Sequence, residues 1–135
     1  MRTASLDIKT TIRDSVPRIP FEELVASVLG SSYQLSLVLC GDSLARRINR
    51  ETRKKQYAPN VLSFPIDRAE GEIFLNVRKA QREARVYGTT LRARVAHLFV
   101  HGLYHLKGHD HESDAEARRM EAQEAKTLRA FALDR

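Results

Sequence analysis

The segment from Leu91 to Gly108 restricts the fold more than any other part of the chain, because a helix formed there is apolar on nearly every face. Its apolar residues spread around nearly every side of such a helix: Leu91, Val95, Ala96, Leu98, Phe99, Val100, Leu103 and Leu106. A helix that is apolar all round is a buried one. The sequence therefore predicts a core helix that ends at Gly108, since glycine accepts the left-handed conformation that stops a helix.

Histidines are concentrated at the end of this helix, where four of the five in the 135-residue chain lie between 101 and 111. Residues four apart share one helix face, with Cβ atoms about 5–6 Å apart, so His101 and His105 can direct ring nitrogens at one ion. A turn at Gly108 lets His111 supply a third ligand. Three neutral imidazoles with an open position are typical of a catalytic zinc site, so we predict one zinc ion per chain.

The two remaining histidines leave the ligand set open. His97 lies four residues before His101, so these two are a rival ligand pair, although a lone histidine on such a helix is more often a satisfied core or surface residue. His97 and His105 cannot share an ion, because eight residues at about 1.5 Å each separate them by roughly 12 Å. His109 is either a surface residue or the third ligand in place of His111.

The histidine spacing matches the long zinc-protease signature, H-E-x-x-H-x-x-G-x-x-H, at every position but one. Gly102 stands where that signature has glutamate. The glutamate is the general base that takes a proton from the metal-bound water during peptide hydrolysis. The sequence therefore keeps the metal geometry and argues against protease chemistry.

The rest of the chain predicts a single α+β domain over residues 1–135, a small mixed four-stranded sheet covered by helices with the histidine helix packed against it. Alternating and apolar runs predict strands at 5–12, 33–40, 61–64 and 72–76. Further helices are predicted at 20–30, 43–54 and 77–87, with Asn76 capping the last of these, and after a capping box at 113–116. The strand at 61–64 should stop at Pro65 and border a cleft, because proline in a sheet belongs at an edge or a strand end.

Positive charge is the main clue to a partner. Lys and Arg total 23 against 17 Asp and Glu, a net charge of +6, which suits a polyanion. A charge run is usually a solvated face, but the helix at 43–54 concentrates positive residues against the single Glu51, which favours phosphate binding. The positive residues there are Arg46, Arg47, Arg50, Arg53, Lys54 and Lys55.

Composition excludes several other classes of protein. No apolar run approaches the roughly 18 residues that span a bilayer, and the alternating N-terminal residues lack a signal-peptide core, so we expect a cytoplasmic protein. Cys40 is the only cysteine, which excludes an intramolecular disulfide and a metal site made of cysteine alone. We expect it to be a small core residue.

With these features assembled, the sequence resembles the YbeY family of bacterial endoribonucleases. The family hallmark H-G-x-L-H-L-x-G-Y-D-H is met by His101, Gly102, His105, Leu106, Gly108, Asp110 and His111. A second family motif, an arginine seven residues before N/D-V-L-S-F-P, is met by Arg53 and residues 60–65. The departures are Tyr104 for the usual Leu, His109 for Tyr and Pro59 for Thr. The similarity runs in order from about residue 35 to 125.

The resemblance implies a zinc-dependent, single-strand-specific endoribonuclease acting in 16S rRNA 3′-end maturation and late ribosome quality control. It implies a zinc-protease-like fold, zinc on His101, His105 and His111, and Arg53 as an active-site arginine. Asp110 is a candidate to orient a histidine or serve as a base, or else a surface residue in a turn. The expected partners are ribosomal RNA and the small ribosomal subunit, with neither DNA nor membrane.

Two other classes of function stay open at this point. In one, the same metal site serves a zinc hydrolase with a substrate other than RNA. In the other, the protein is a non-catalytic ribosome-assembly factor in which a structural metal stabilises the fold and the arginines bind RNA. Gly102 argues against a peptide substrate in the first class.

Overall fold

A computed structural model describes residues 5–108 and 113–134 of the chain, and within them four strands and five helices. The strands are β1 (Ser5–Thr10), β2 (Gln34–Cys40), β3 (Val61–Asp67) and β4 (Glu70–Asn76). The helices are α1 (Phe21–Leu29), α2 (Asp42–Arg53), α3 (Val77–Tyr87), α4 (Leu91–Leu106) and α5 (Asp114–Ala130). The predicted α+β class is confirmed.

The four strands form one mixed sheet in the order β1-β2-β4-β3. β1 and β4 lie parallel to β2 on either side of it, and β3 runs antiparallel to β4. Leu37 of β2 stands between Ile8 of β1 and Ile73 of β4, so the middle of the sheet presents aliphatic side chains to one face. The predicted mixed four-stranded sheet is therefore confirmed.

The prediction that the third strand stops at Pro65 is wrong, since β3 continues to Asp67 with a shift of register between the two residues. The amide N–H of Asn76 donates to the carbonyl of Asn60 over 2.8 Å, which makes that pair a hydrogen-bonded one. Because hydrogen-bonded pairs alternate in an antiparallel ladder, the Pro65–Gly71 pair falls at a non-bonded position. Pro65 therefore removes no ladder hydrogen bond, and this edge strand continues through it.

The main core lies between one face of the sheet and α1, α3, α4 and α5, with α4 at its centre. Val95, Phe99 and Leu103 of α4 are fully buried, as the all-round apolar pattern predicts. α2 covers the other face, where Val38 and Cys40 form a small separate cluster with residues of α2 and β4. Cys40 is buried, as predicted.

Asn76 connects four parts of the structure around one fully buried amide. Its Oδ1 accepts from the backbone N–H of Lys79 over 3.1 Å, which caps α3 as predicted. Its Nδ2 donates to Asp42 of α2 over 2.9 Å and to the carbonyl of Pro59 over 3.2 Å. This residue therefore fixes α2 and the segment before β3 relative to the end of β4.

We expect Asn76→Ala to lower the free energy of unfolding by about 2–4 kcal/mol, because it removes a helix cap, leaves the buried carbonyl of Pro59 without its donor and takes one donor from Asp42. Urea denaturation of the purified variant measures the loss. Asn60→Ala is the matched control, because its amide is only half-buried and bonds chiefly to Glu83, so it should cost about 1 kcal/mol or less. Equal losses of stability in the two variants would contradict the role of the buried Asn76 amide in holding α2 and the segment before β3 in place.

Candidate active site

His101 and His105 lie one turn apart on α4, and their rings face each other. Their Nε2 atoms are 3.0 Å apart and their ring centroids 4.6 Å apart. Two nitrogens that each lie about 2.0–2.1 Å from one tetrahedral zinc ion would be about 3.3 Å apart. The separation and the imidazole chemistry therefore fit two ligands of a single divalent ion.

A buried carboxylate on α5 holds the other side of this pair. Glu124 is 2% exposed, and the Nδ1 atom of His101 lies 3.0 Å from one of its oxygens. Burial alone would raise the pKa of Glu124, but hydrogen bonds from His101 and His97 outweigh it and lower that pKa to about 2. The ionised carboxylate accepts the Nδ1–H of His101, which leaves Nε2 of that ring directed at His105.

Sequence reasoning missed Glu124, although the sequence carried a signal for it. Met120, Glu124 and Leu128 recur at intervals of four, and the two flanking residues belong to the apolar stripe of α5. A carboxylate in the middle of such a stripe is almost never fully buried without a partner. The spacing thus pointed to a buried acceptor on α5, although only the folded chain identifies His101 as its donor.

His97 contacts the same carboxylate from the solvent side of α4. Its Nε2 lies 3.6 Å from Glu124, its Nδ1 lies 3.3 Å from the Arg94 guanidinium, and nearly half of its side chain is exposed. His101 presents Nε2 to His105 and Nδ1 to Glu124. The geometry of the described residues therefore favours His101 with His105 over the rival pair of His97 with His101.

A cleft of about 450 Å³ brings Arg53 together with the two histidines. Arg53 is the last residue of α2, and the two histidines belong to α4. The other lining residues are Asn60, Val61, Leu62, Ser63, Phe64 and Pro65, at the start of β3 and along it. The cleft that the sequence predicted beside this strand therefore lies between the edge of the sheet and α4.

The position of Arg53 depends on a buried asparagine that sequence reasoning missed. Asn49 is fully buried, and its Nδ2 donates to the carbonyl of Tyr57 over 3.0 Å. This bond, with Lys54 in a left-handed conformation at φ 58°, folds the following segment back along α2 and leaves Arg53 at the cleft. Within the described part of the chain, Oδ1 of Asn49 has no hydrogen-bond partner.

The two aliphatic residues of α2, Leu44 and Ile48, would be expected from the sequence to anchor this helix, but they are not its most buried residues. Leu44 and Ile48 are only half-buried, whereas Ala45 and Asn49 are fully or almost fully enclosed. The helix is therefore rotated from the orientation that its two aliphatic residues suggest. The buried hydrogen bond of Asn49 accounts for the rotation, because it directs a polar residue inward.

The structure separates the residues predicted to bind RNA. Arg46, Arg47 and Arg50 line a second groove, away from the histidine cleft. Lys54 and Lys55 are exposed and line neither of these two cavities. Of the positive residues predicted along α2, Arg53 alone lines the histidine cleft.

Gly102 faces β3 at the point where α4 approaches the sheet most closely. A Cβ at this position would lie 2.9 Å from Oγ of Ser63 and 3.1 Å from Cδ1 of Ile73. The Ser63 hydroxyl donates to the carbonyl of Gly102 over 3.1 Å. The sheet therefore occupies the space that a protease glutamate would need, which gives a packing reason for glycine here.

Three of the predicted site residues, His109, Asp110 and His111, lie outside the described residues. Across 5–108 and 113–134, no group of three His, Cys, Asp or Glu side chains is placed to hold a metal. The full ligand set therefore stays a prediction, with two of its three members placed.

In those same ranges, no helix is long and apolar enough to cross a membrane.

The fold has a counterpart among solved structures. The solution structure of TM1509 from Thermotoga maritima superposes with a TM-score of 0.64, covers 94% of this chain and 91% of that one, and is 18% identical in sequence. At that identity the likeness establishes the fold alone. The class is thus an α+β protein with a mixed four-stranded sheet.

Sequence comparison then identifies the family. The family model described as Endoribonuclease YbeY matches residues 3–132. A relative of that name from Methylibium petroleiphilum is 38% identical over 122 residues, which cover 88% of this chain and 82% of the relative. Another from Aromatoleum aromaticum is 37% identical over 138 residues, with 93% and 90% covered. The chain belongs to the YbeY family of endoribonucleases.

We expect Gly102→Ala to destabilise the protein by about 1–3 kcal/mol, because the overpacking against β3 exceeds the gain in helix propensity of about 1 kcal/mol. The cost should fall by about 1 kcal/mol when Ser63→Ala removes the nearest atom. Urea denaturation of the two single variants and the double variant measures this coupling. An equal cost in both backgrounds would show that the contact is not the cause.

Proposed function

We propose that the protein is a zinc-dependent endoribonuclease that hydrolyses phosphodiester bonds in single-stranded RNA. The observation that carries the proposal is the cleft in which Arg53 meets the facing rings of His101 and His105. We extend it to 16S rRNA 3′-end maturation and late ribosome quality control in the cytoplasm, with the small ribosomal subunit as partner. Family membership supports the endoribonuclease activity, and the geometry of the cleft supports the reaction.

His101, His105 and His111 would hold the metal. When bound, zinc supplies Lewis acidity toward a phosphoryl oxygen and lowers the pKa of bound water towards 7. This accounts for hydrolysis by a chain that has Gly102 where a protease has its base. Asp110, next to His111, would orient a histidine or act as the base.

Arg53 would bind the scissile phosphate. Its planar guanidinium matches two phosphate oxygens at once and stabilises the charge that develops on them. Asn49 makes this possible by holding the end of α2 at the cleft. Arg53 is exposed, which leaves its guanidinium accessible to an incoming phosphate.

The shape and lining of the cleft favour single-stranded RNA. Its volume of about 450 Å³ is that of a ligand pocket rather than of a surface that holds a duplex. Phe64, which lines the cleft and is only half-buried, packs edge to face on Phe74 with ring centroids 5.9 Å apart. An aromatic ring in such a place can stack on an unpaired base.

Glu124 would act on the metal through His101. Because the carboxylate fixes which nitrogen of that ring carries the proton, Nε2 stays available as a ligand. We expect Glu124→Gln to weaken zinc binding about 10–100-fold, as loss of such partners does elsewhere. Zinc titration against a competing chelator measures the affinity.

The matched control for Glu124→Gln is Glu23→Gln, the same change at an exposed position on α1. Its zinc affinity should equal that of the wild type. Thermal melts in chelator separate weaker zinc binding from a destabilised fold. Equal zinc affinity in the two variants would remove Glu124 from the metal site.

The function is tested by measuring zinc content and cleavage of a single-stranded rRNA fragment together. We expect about one zinc ion per chain in the wild type and in Arg53→Ala and His109→Ala, and none in His111→Ala. Arg53→Ala should lower kcat/KM about 10²–10³-fold, the cost of losing one group that stabilises transition-state charge. Arg68→Ala, an exposed arginine between β3 and β4, is the control for loss of charge.

Each other outcome points to a different error. Undiminished cleavage by Arg53→Ala would exclude this arginine from the reaction. Loss of zinc in His109→Ala instead of His111→Ala would show that His109, and not His111, is the third ligand. Wild-type protein that binds RNA but neither holds zinc nor cleaves would leave the ribosome-assembly factor as the better account.

A further inference from the structure

A second groove, larger than the histidine cleft, lies beside the N-terminal half of α2. Its volume is about 730 Å³. Three arginines of α2 line it on one side and Arg78 of α3 on another, with Thr11, Ile12 and Gly41 among the other lining residues. The three arginines of α2 that line it are Arg46, Arg47 and Arg50. The groove is therefore a concave surface in which positive side chains from two helices face the same space.

The negative charge in this groove is already paired. Asp42 accepts two hydrogen bonds from Arg82, over 2.8 and 3.0 Å, and one from Asn76. The Arg82 bond, with that of Asn76, outweighs burial and lowers the pKa of Asp42 to about 2, so this carboxylate is ionised and held by partners at neutral pH. Its charge interacts chiefly with Arg82 and more weakly with Arg46, so a single carboxylate faces the four arginines that line the groove.

The arginines of the groove keep much of their capacity to bind an anion. Arg47 makes only a 3.9 Å contact with Glu51 on the exposed surface, and Arg78 lies 3.4 Å from Asp14. Within the described ranges, neither Arg46 nor Arg50 forms an ion pair. Two exposed guanidinium groups are thus available for phosphate oxygens, which they match in shape.

Helix periodicity connects this groove to the histidine cleft. Arg46, Arg50 and Arg53 are spaced by four and then three residues, so they lie along one side of α2. At about 1.5 Å per residue, Arg46 is roughly 10 Å from Arg53 along the helix axis. That is about the length of three stacked nucleotides at about 3.4 Å each. The first two line the groove and the third lines the cleft.

We infer that a single RNA strand whose scissile phosphate lies at Arg53 continues along α2, with its neighbouring phosphates bound by Arg46 and Arg50 and its end in the groove beside Arg78. The inference rests on the proposed function, because it takes the cleft as the place of cleavage. We call Arg46, Arg50 and Arg78 the arginine track. It binds the sugar–phosphate backbone, so it extends the contact with RNA without selecting a sequence.

RNA fits the track better than an acidic protein surface does. Arg46, Arg50 and Arg53 follow a line along α2 that ends in the cleft where a phosphodiester is proposed to be cleaved, so one extended polyanion can occupy all three. A folded acidic protein would need to enter a concave groove and contact Arg53 as well. The regular spacing therefore favours a strand of evenly placed phosphates.

The experiment measures binding of a twelve-nucleotide single-stranded RNA to metal-free protein by fluorescence anisotropy, over a series of salt concentrations. We expect R46Q/R50Q to bind about tenfold more weakly than the wild type at low salt. Its slope of log affinity against log salt should be shallower by about 1.4, from the loss of two phosphate contacts at about 0.7 each. R78Q should weaken binding further when added to the pair.

The matched control is R118Q/R119Q, which removes the same charge from exposed positions on α5 that line neither cavity. Binding and salt slope of the control should stay within about twofold of the wild type. A control as weak as R46Q/R50Q, or a track variant as strong as the wild type, would overturn the inference. Circular dichroism of each variant verifies that the fold is intact.

Failure of the track and failure of the proposed function give different results. Because RNA binding is measured without metal, a zinc-loaded protein that cleaves no RNA counts against the nuclease and leaves the binding result standing. A protein that cleaves RNA normally but shows equal binding in the track and control variants retains the nuclease and loses the track.

Discussion

The close packing of α4 on β3 is the contact on which the site depends. Where the Ser63 hydroxyl donates to the carbonyl of Gly102, the helix lies so near the sheet that a Cβ at this position would press on the side chains of Ser63 and Ile73. The histidine before Gly102 and the one three residues after it are thereby held against the edge strand. The wall of the cleft and its chemical groups are consequently fixed by one contact between backbone and side chain.

Much of the fold could be predicted because its signals are local. The all-round apolar pattern of α4, the alternation in β2 and the cap at Asn76 each follow from residues close in sequence. The length of β3 could not be predicted in this way, because the cost of Pro65 depends on whether its position in the ladder is hydrogen bonded. That depends on the register with β4, which is a tertiary property.

In the candidate site, too, some features follow from local sequence and others depend on tertiary structure. The pairing of His101 with His105 follows from helix periodicity, whereas Arg53 joins them only because α2 and α4 flank one edge of the sheet. Glu124 and Asn49 escaped sequence reasoning for a common reason. Each is a polar residue whose burial is made possible by a hydrogen-bond partner outside its own helix, His101 for the first and Tyr57 for the second.

The order of the elements along the chain places the centre of the core and the histidines of the cleft in one late segment. β4 lies between β2 and β3 in the sheet, and α4, which fills the core, follows all four strands in the chain. A nascent chain that ends before α4 lacks both the centre of its core and the histidines of the cleft. The central helix of the core and the two histidines of the cleft therefore join the structure together.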